Sequence, residues 1–289
     1  MKAKISFKEF VSVIFFYVIF VIFLDLFVDI LVRKTVLGSI FSGLDLFLFY
    51  SVLITVGILV FYKGITKKKY SDLGIKKIKK EDISLAVKIF LMLFPVAFIS
   101  RILDPSFDKY FSVAYGLGGL SSFIIFILYL PFFAIKEEIF ERSFFQSLFS
   151  RGYGSLIAPI LVAINFSLAH YYNTGVLSHT LNIVLSVLVG TYLIALLYEK
   201  TKNLFITIIT HLVYNIFIMF QIYMHVFGLN ILEIVFWTVW GILFIFFLKR
   251  TIKEIKVLFV NQVKDLGLLD LAYIIGFGVI IPVLIIYLF

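Results

Sequence analysis

The chain contains no cysteine, only four histidines and few charges: 15% of its 289 residues are Asp, Glu, Lys or Arg. Without cysteine there are no disulfides, thiolate metal sites, cysteine nucleophiles or cysteine-linked lipid anchors. Scarce charge beside 62% hydrophobic residues excludes an ordinary soluble domain, which carries about 45–50% apolar and about 25% charged residues. Disorder is excluded on the same grounds, since disordered chains are low in hydrophobicity. Any catalysis must draw on carboxylate, imidazole, hydroxyl or amide groups.

What is abundant is apolar: 36 Phe and a mean hydropathy of +1.11. Runs long enough to cross a bilayer, about 20 residues each, fall at 9–32, 40–62, 83–103, 120–149, 154–172, 179–198, 203–226, 229–248 and 269–289. They are continuously apolar, so helices rather than barrel strands are expected. The fold class is therefore all-α: a polytopic transmembrane bundle of eight or nine spans forming one membrane domain over 1–289. The net charge of +9 fits basic loops on the cytoplasmic side better than nucleic acid. With the N-terminus inside, 19 of the 26 basic residues lie in inner segments. Eight of them are lysines between Lys63 and Lys80, which reads as a topology-setting loop. Residues 257–268 read as a separate amphipathic piece at the inner interface.

The informative residues violate the apolar pattern. The fourth run contains Lys136-Glu137-Glu138-Ile139-Phe140-Glu141-Arg142, five ionisable groups in seven positions. Each charge at a helix centre costs about 2.5–3.5 kcal/mol to insert, so these groups must be paired, neutralised or face a wet cavity. Glu138 and Arg142 are one turn apart, suited to a carboxylate–guanidinium pair. Glu137 lies about 100° round the helix, free to find another partner. Three carboxylates against two cations leave one excess acid, the kind of group a general base requires.

Two histidines also lie inside apolar runs. His170 closes Phe166-Ser167-Leu168-Ala169-His170, and His211 opens His211-Leu212-Val213-Tyr214-Asn215, which puts imidazole and amide on one face. Polar clusters on three helices are most cheaply buried by converging. Glu137 with His170 can hold and deprotonate a water, and His211 with Asn215 offers donors for an oxyanion. A divalent metal such as zinc on Glu137, His170 and His211 is the alternative use of the same groups. His179 and His225 sit at run ends and are expected to meet water, and the Asn165-Phe166-Ser167 sequon lies inside a span and carries no meaning. Counted along separate spans, His170 falls nearer the outer side than Glu137, a mismatch that only a deeper-starting or tilted fifth helix would remove.

The ordered trio Glu-Glu-x-x-x-Arg, Phe-x-x-x-His and His-x-x-x-Asn resembles the CAAX protease and bacteriocin-processing family of intramembrane proteases, which includes the type II CAAX prenyl endopeptidases. The resemblance rests on Glu137, Glu138, Arg142, Phe166, His170, His211 and Asn215, and covers about residues 120–220. It implies a multi-pass membrane peptidase whose Glu137 and His170 activate water, with His211 and Asn215 as oxyanion donors. Glu138, Arg142 and Phe166 would support the site. The expected partners are membrane lipids and a hydrophobic or lipidated peptide (CAAX-like, bacteriocin or signal peptide), with no nucleic acid. Metallo- and glutamate-type mechanisms both remain open in the resemblance, with zinc the metal in question. A silent scaffold or bacteriocin self-immunity protein of the same fold is the alternative. Abundant Lys, Ile and Phe suit an AT-rich microbial genome, hence a prokaryotic plasma membrane. Two positions depart from the family pattern: Ser143 replaces a common glycine, and Glu141 adds an acid.

Overall fold

The computed structural model describes residues 73–104, 119–170 and 177–260, with positions 108, 109 and 112 and scattered positions between 52 and 60. The runs at 9–32 and 269–289, most of 40–62, and the N-terminus on which orientation depends lie outside the described residues. Among those described there are seven α-helices and one π-helical segment, with no strand. They are α1 (Lys80–Leu103), α2 (Leu120–Glu138), the π segment (Ile139–Gln146), α3 (Ser147–Tyr153), α4 (Ile157–Ala169), α5 (Leu177–Thr201), α6 (Leu204–Val226) and α7 (Asn230–Val260). Residues 257–260 continue α7 rather than forming a separate interfacial piece.

Four helices are long and apolar enough to span a bilayer: Lys80–Leu103, Asn182–Thr201, Leu204–Val226 and Asn230–Arg250. The chain is a multi-pass membrane protein, and four spans are what the described residues support out of the eight or nine expected. The run at 154–172 does not form a span. Its helix has 13 residues, which at about 1.5 Å per residue reaches about two thirds of a hydrocarbon core of about 30 Å. Gly154, at φ +90°, turns the chain before α4, and the helix ends at His170.

Aromatic stacking joins the long helices. Phe90 of α1 stacks on Trp240 of α7 at 5.3 Å between ring centroids. Phe94 sits so close to Gly241 that a Cβ there would approach its ring to 3.1 Å. A second apolar cluster, including Phe144, Phe145, Leu148, Ile157 and Leu161, fixes α4 against the π segment and α3. Along Asn230–Arg250 of α7 large apolar side chains such as Ile231, Ile234, Ile245 and Phe246 are exposed, as a lipid-facing helix requires.

Polar ties fasten both ends. At the basic end, Asn203 is fully buried and caps α6: its Oδ1 accepts from the Phe205 N–H at 3.2 Å. Its Nδ2 donates to Asp82 Oδ2 (3.1 Å) and to the Lys77 carbonyl (3.3 Å). Asp82 also accepts from the Lys79 N–H and so caps α1. One amide thus serves two helix starts. Asn203→Ala is expected to cost about 2 kcal/mol, visible as a lower melting temperature in detergent, and an unchanged melt would refute this joint cap.

Beside it, the Leu73–Gly74 strap is docked tightly. Gly74 has φ +84°, and a Cβ would lie 3.0 Å from the Lys202 carbonyl oxygen, so only glycine fits. The Gly74 carbonyl accepts from the Leu204 N–H at 2.8 Å.

At the other end, Arg101 of α1 lies between Asp108 (3.0 Å) and Glu233 (3.5 Å). Its Nη2 donates to His225 Nδ1 at 2.6 Å, and Gln221 donates to Asp108 at 2.7 Å. His225 therefore belongs to a network joining α1, α6 and α7 instead of simply meeting water. Burial raises the Asp108 carboxyl above the usual range, against the lowering by Gln221 and Arg101.

Candidate active site

The site forms where α2 passes into the π segment. Here i→i+5 bonding widens the turn, and the Ser147 N–H and hydroxyl both donate to the Arg142 carbonyl. Consecutive residues 141–146 are all buried, so this stretch runs through the interior with its charged groups.

Arg142 and Glu138, each 1% exposed, form the pair expected at one-turn spacing: Nε to Oε2 is 3.0 Å and Nη2 to Oε1 is 3.5 Å. Glu138 has a second partner from a distant helix, because His211 Nδ1 donates to its Oε1 at 2.9 Å. The guanidinium holds the carboxylate and the carboxylate orients the imidazole, a buried relay that leaves Nε2 facing the other way. On that side is Glu137, whose Oε2 lies 3.8 Å from His211 Nε2 and whose Oε1 lies 3.9 Å from Lys136. These are ion-pair separations, too long for direct hydrogen bonds. The neighbouring carboxylates thus address the two nitrogens of one imidazole, and each also has a separate cation, Lys136 for Glu137 and Arg142 for Glu138.

His170 ends α4 and is half-buried. Its Nδ1 donates to the Phe166 carbonyl at 2.8 Å, which leaves Nε2 as the acceptor. The Phe166 ring lies 4.3 Å from the His170 ring and 6.4 Å from His211, between centroids. Phe166 therefore packs against both imidazoles, and among the described residues no ion pair links His170 directly to Glu137. Asn215, half-buried one turn beyond His211, has no hydrogen-bond partner among the described residues.

The π segment, α3 and α4 pack together as one apolar cluster that bears on the depth mismatch. Asn165 Nδ2 donates to Glu141 Oε1 at 3.3 Å across it. From this tie to Glu137 is four residues on one arm, about 6 Å, and to His170 five on the other, about 7.5 Å. The two arms from this tie thus differ in length by one residue. Both departures from the family pattern also have partners here. Glu141 meets Asn165, and the Ser143 hydroxyl donates to the Leu73 carbonyl at 2.7 Å, fastening the strap to the residue after Arg142. Asn165, Leu73 and the Glu138–His211 bond carry no local sequence signal, since each partner is far away in the chain.

The groups fit a metal poorly. Among the described residues no three His, Cys, Asp or Glu side chains converge as a metal ion needs. The metalloprotease reading of Glu137, His170 and His211 is not supported.

Residues 119–217 match the family model described as Type II CAAX prenyl endopeptidase Rce1-like. The match takes in about a third of the chain, including Glu137, Glu138, Arg142, Phe166, His170, His211 and Asn215. No curated protein and no solved structure matches the chain.

Proposed function

Starting from a stretch similar to the type II CAAX prenyl endopeptidases, we propose that this protein is an intramembrane endopeptidase that cuts hydrophobic or lipid-modified peptides with a water activated by side chains. The observation that carries this reading is the meeting of buried Glu138, Arg142 and His211 with the more open Glu137, while the Phe166 ring packs against both His211 and His170. Burying so many polar groups together is costly unless they face a common reactive centre.

In this mechanism Glu137 and His170 Nε2 hold a water and accept a proton from it as its oxygen attacks the scissile carbonyl. The tetrahedral oxyanion is received by the Asn215 amide and, when protonated, by His211 Nε2. The proton taken from water passes to the leaving amine as the C–N bond breaks. Glu138 and Arg142 hold the His211 ring in place, and Phe166 spaces the two imidazoles. Residues 120–220 act as the catalytic core of a single membrane domain.

The test is cleavage by the purified full chain in liposomes, with a C-terminally farnesylated peptide and its unmodified hydrophobic counterpart, read by mass spectrometry. Product from at least one peptide is expected, unaffected by chelator, and the ratio between them reports whether the lipid is required. No product from either would favour the silent-scaffold reading, and chelator-sensitive activity restored by zinc would bring the metal back.

A further inference from the structure

Glu141 is the acid that neither the relay nor the water-activating pair uses. It is 3% exposed, with Oε1 bonded to Asn165 and Oε2 without a hydrogen-bond partner among the described residues. A carboxylate in such a place is costly, and an apolar side chain would pack the same space. The cost is reasonable if the group selects one arrangement of helices over others, as buried polar groups do when they fix register.

The register at stake is that of α4. His170 caps the C-terminal end of this short helix, and its ring is oriented by a carbonyl of the same helix. Its position relative to Glu137 therefore follows the seating of α4 as a whole. Apolar packing of Phe145, Leu148, Ile157 and Leu161 holds α4 close, but such contacts are non-directional and tolerate sliding. The Asn165–Glu141 bond is directional and lies about one turn from both Glu137 and His170.

We propose that Glu141 and Asn165 are a positioning pair that locks α4 at the height where His170 and Glu137 can share one water. Neither touches substrate, and the proposal rests on the peptidase reading for its consequence in catalysis. A slip of about 1 Å can cost on the order of 10²-fold in rate, so a small loss of seating suffices.

The pair can be exchanged. N165D replaces the amide donor with a second carboxyl group and so removes the amide hydrogen bond to Glu141. E141Q/N165D restores the bond with its direction reversed, because the amide now sits at 141 and donates to the aspartate at 165. Position is read without substrate, since the absence of native cysteine lets E137C/H170C be joined by a short bifunctional thiol reagent in the full chain. N165D is expected to lower kcat on the order of 10²-fold with KM nearly unchanged, and to reduce cross-linking. E141Q/N165D is expected to recover most of both. If N165D does not fold, N165L, which removes the bond at similar volume, takes its place.

Cross-linking undiminished in the single variant, or a swapped pair that restores neither readout or does not fold, overturns the positioning pair. A parent chain that cuts no peptide while its cross-linking follows the swap fails the peptidase reading alone.

Discussion

Exchanging Glu137 for glutamine is expected to slow peptide cleavage on the order of 10³-fold while leaving the melting temperature where it was. Glutamine keeps the size and most of the packing of the side chain but cannot accept a proton from water. The loss of fold stability should be small, because Glu137 is partly exposed and makes only long ion-pair contacts, at 3.8 and 3.9 Å. His170→Ala should give a comparable rate loss with its helix intact, since the imidazole bonds only within its own turn. Initial rates on the cleaved peptide, beside thermal melts of the same preparations, make the comparison. Wild-type rates in E137Q would remove Glu137 from the chemistry.

The second large effect is on stability. Arg142→Leu strands Glu138, which keeps only the imidazole of His211 as a partner while remaining 1% exposed. Removing one member of a buried ion pair costs about 3–5 kcal/mol, so the variant should melt far below the parent or fail to accumulate in the membrane. R142L/E138L, which removes both charges, should recover much of that stability because no uncompensated carboxylate remains. It should not recover activity, because His211 then loses the group that orients it. A stable R142L protein would refute the relay.

The sequence made the charged turn and the two histidines legible, because polar groups in an apolar helix stand out against it. The Glu138–Arg142 pair followed from one-turn spacing alone. The partner of Glu138 across the bundle did not, because it depends on how α6 packs. Nor did the relation of Glu137 to Glu138: a 100° offset separates neighbours on an isolated helix, yet an imidazole is wide enough to meet both. Counting from the start of a span at 154–172 has no basis in the fold, because the chain turns at Gly154 and the 13-residue helix that follows ends at His170. Asn165 looked like an idle sequon because its meaning lies in Glu141, 24 residues away. His225 looked like a surface residue because Arg101 reaches it from 124 residues away.

Glu137 and Glu138 differ by one peptide bond and nineteen-fold in openness, at 19% against 1% side-chain exposure. One carboxylate can trade with whatever enters from outside, while its neighbour communicates only with two fixed cationic or ring partners. The boundary between the molecule's workshop and its framework therefore runs between adjacent residues, and chemical labelling at one would report nothing about the other.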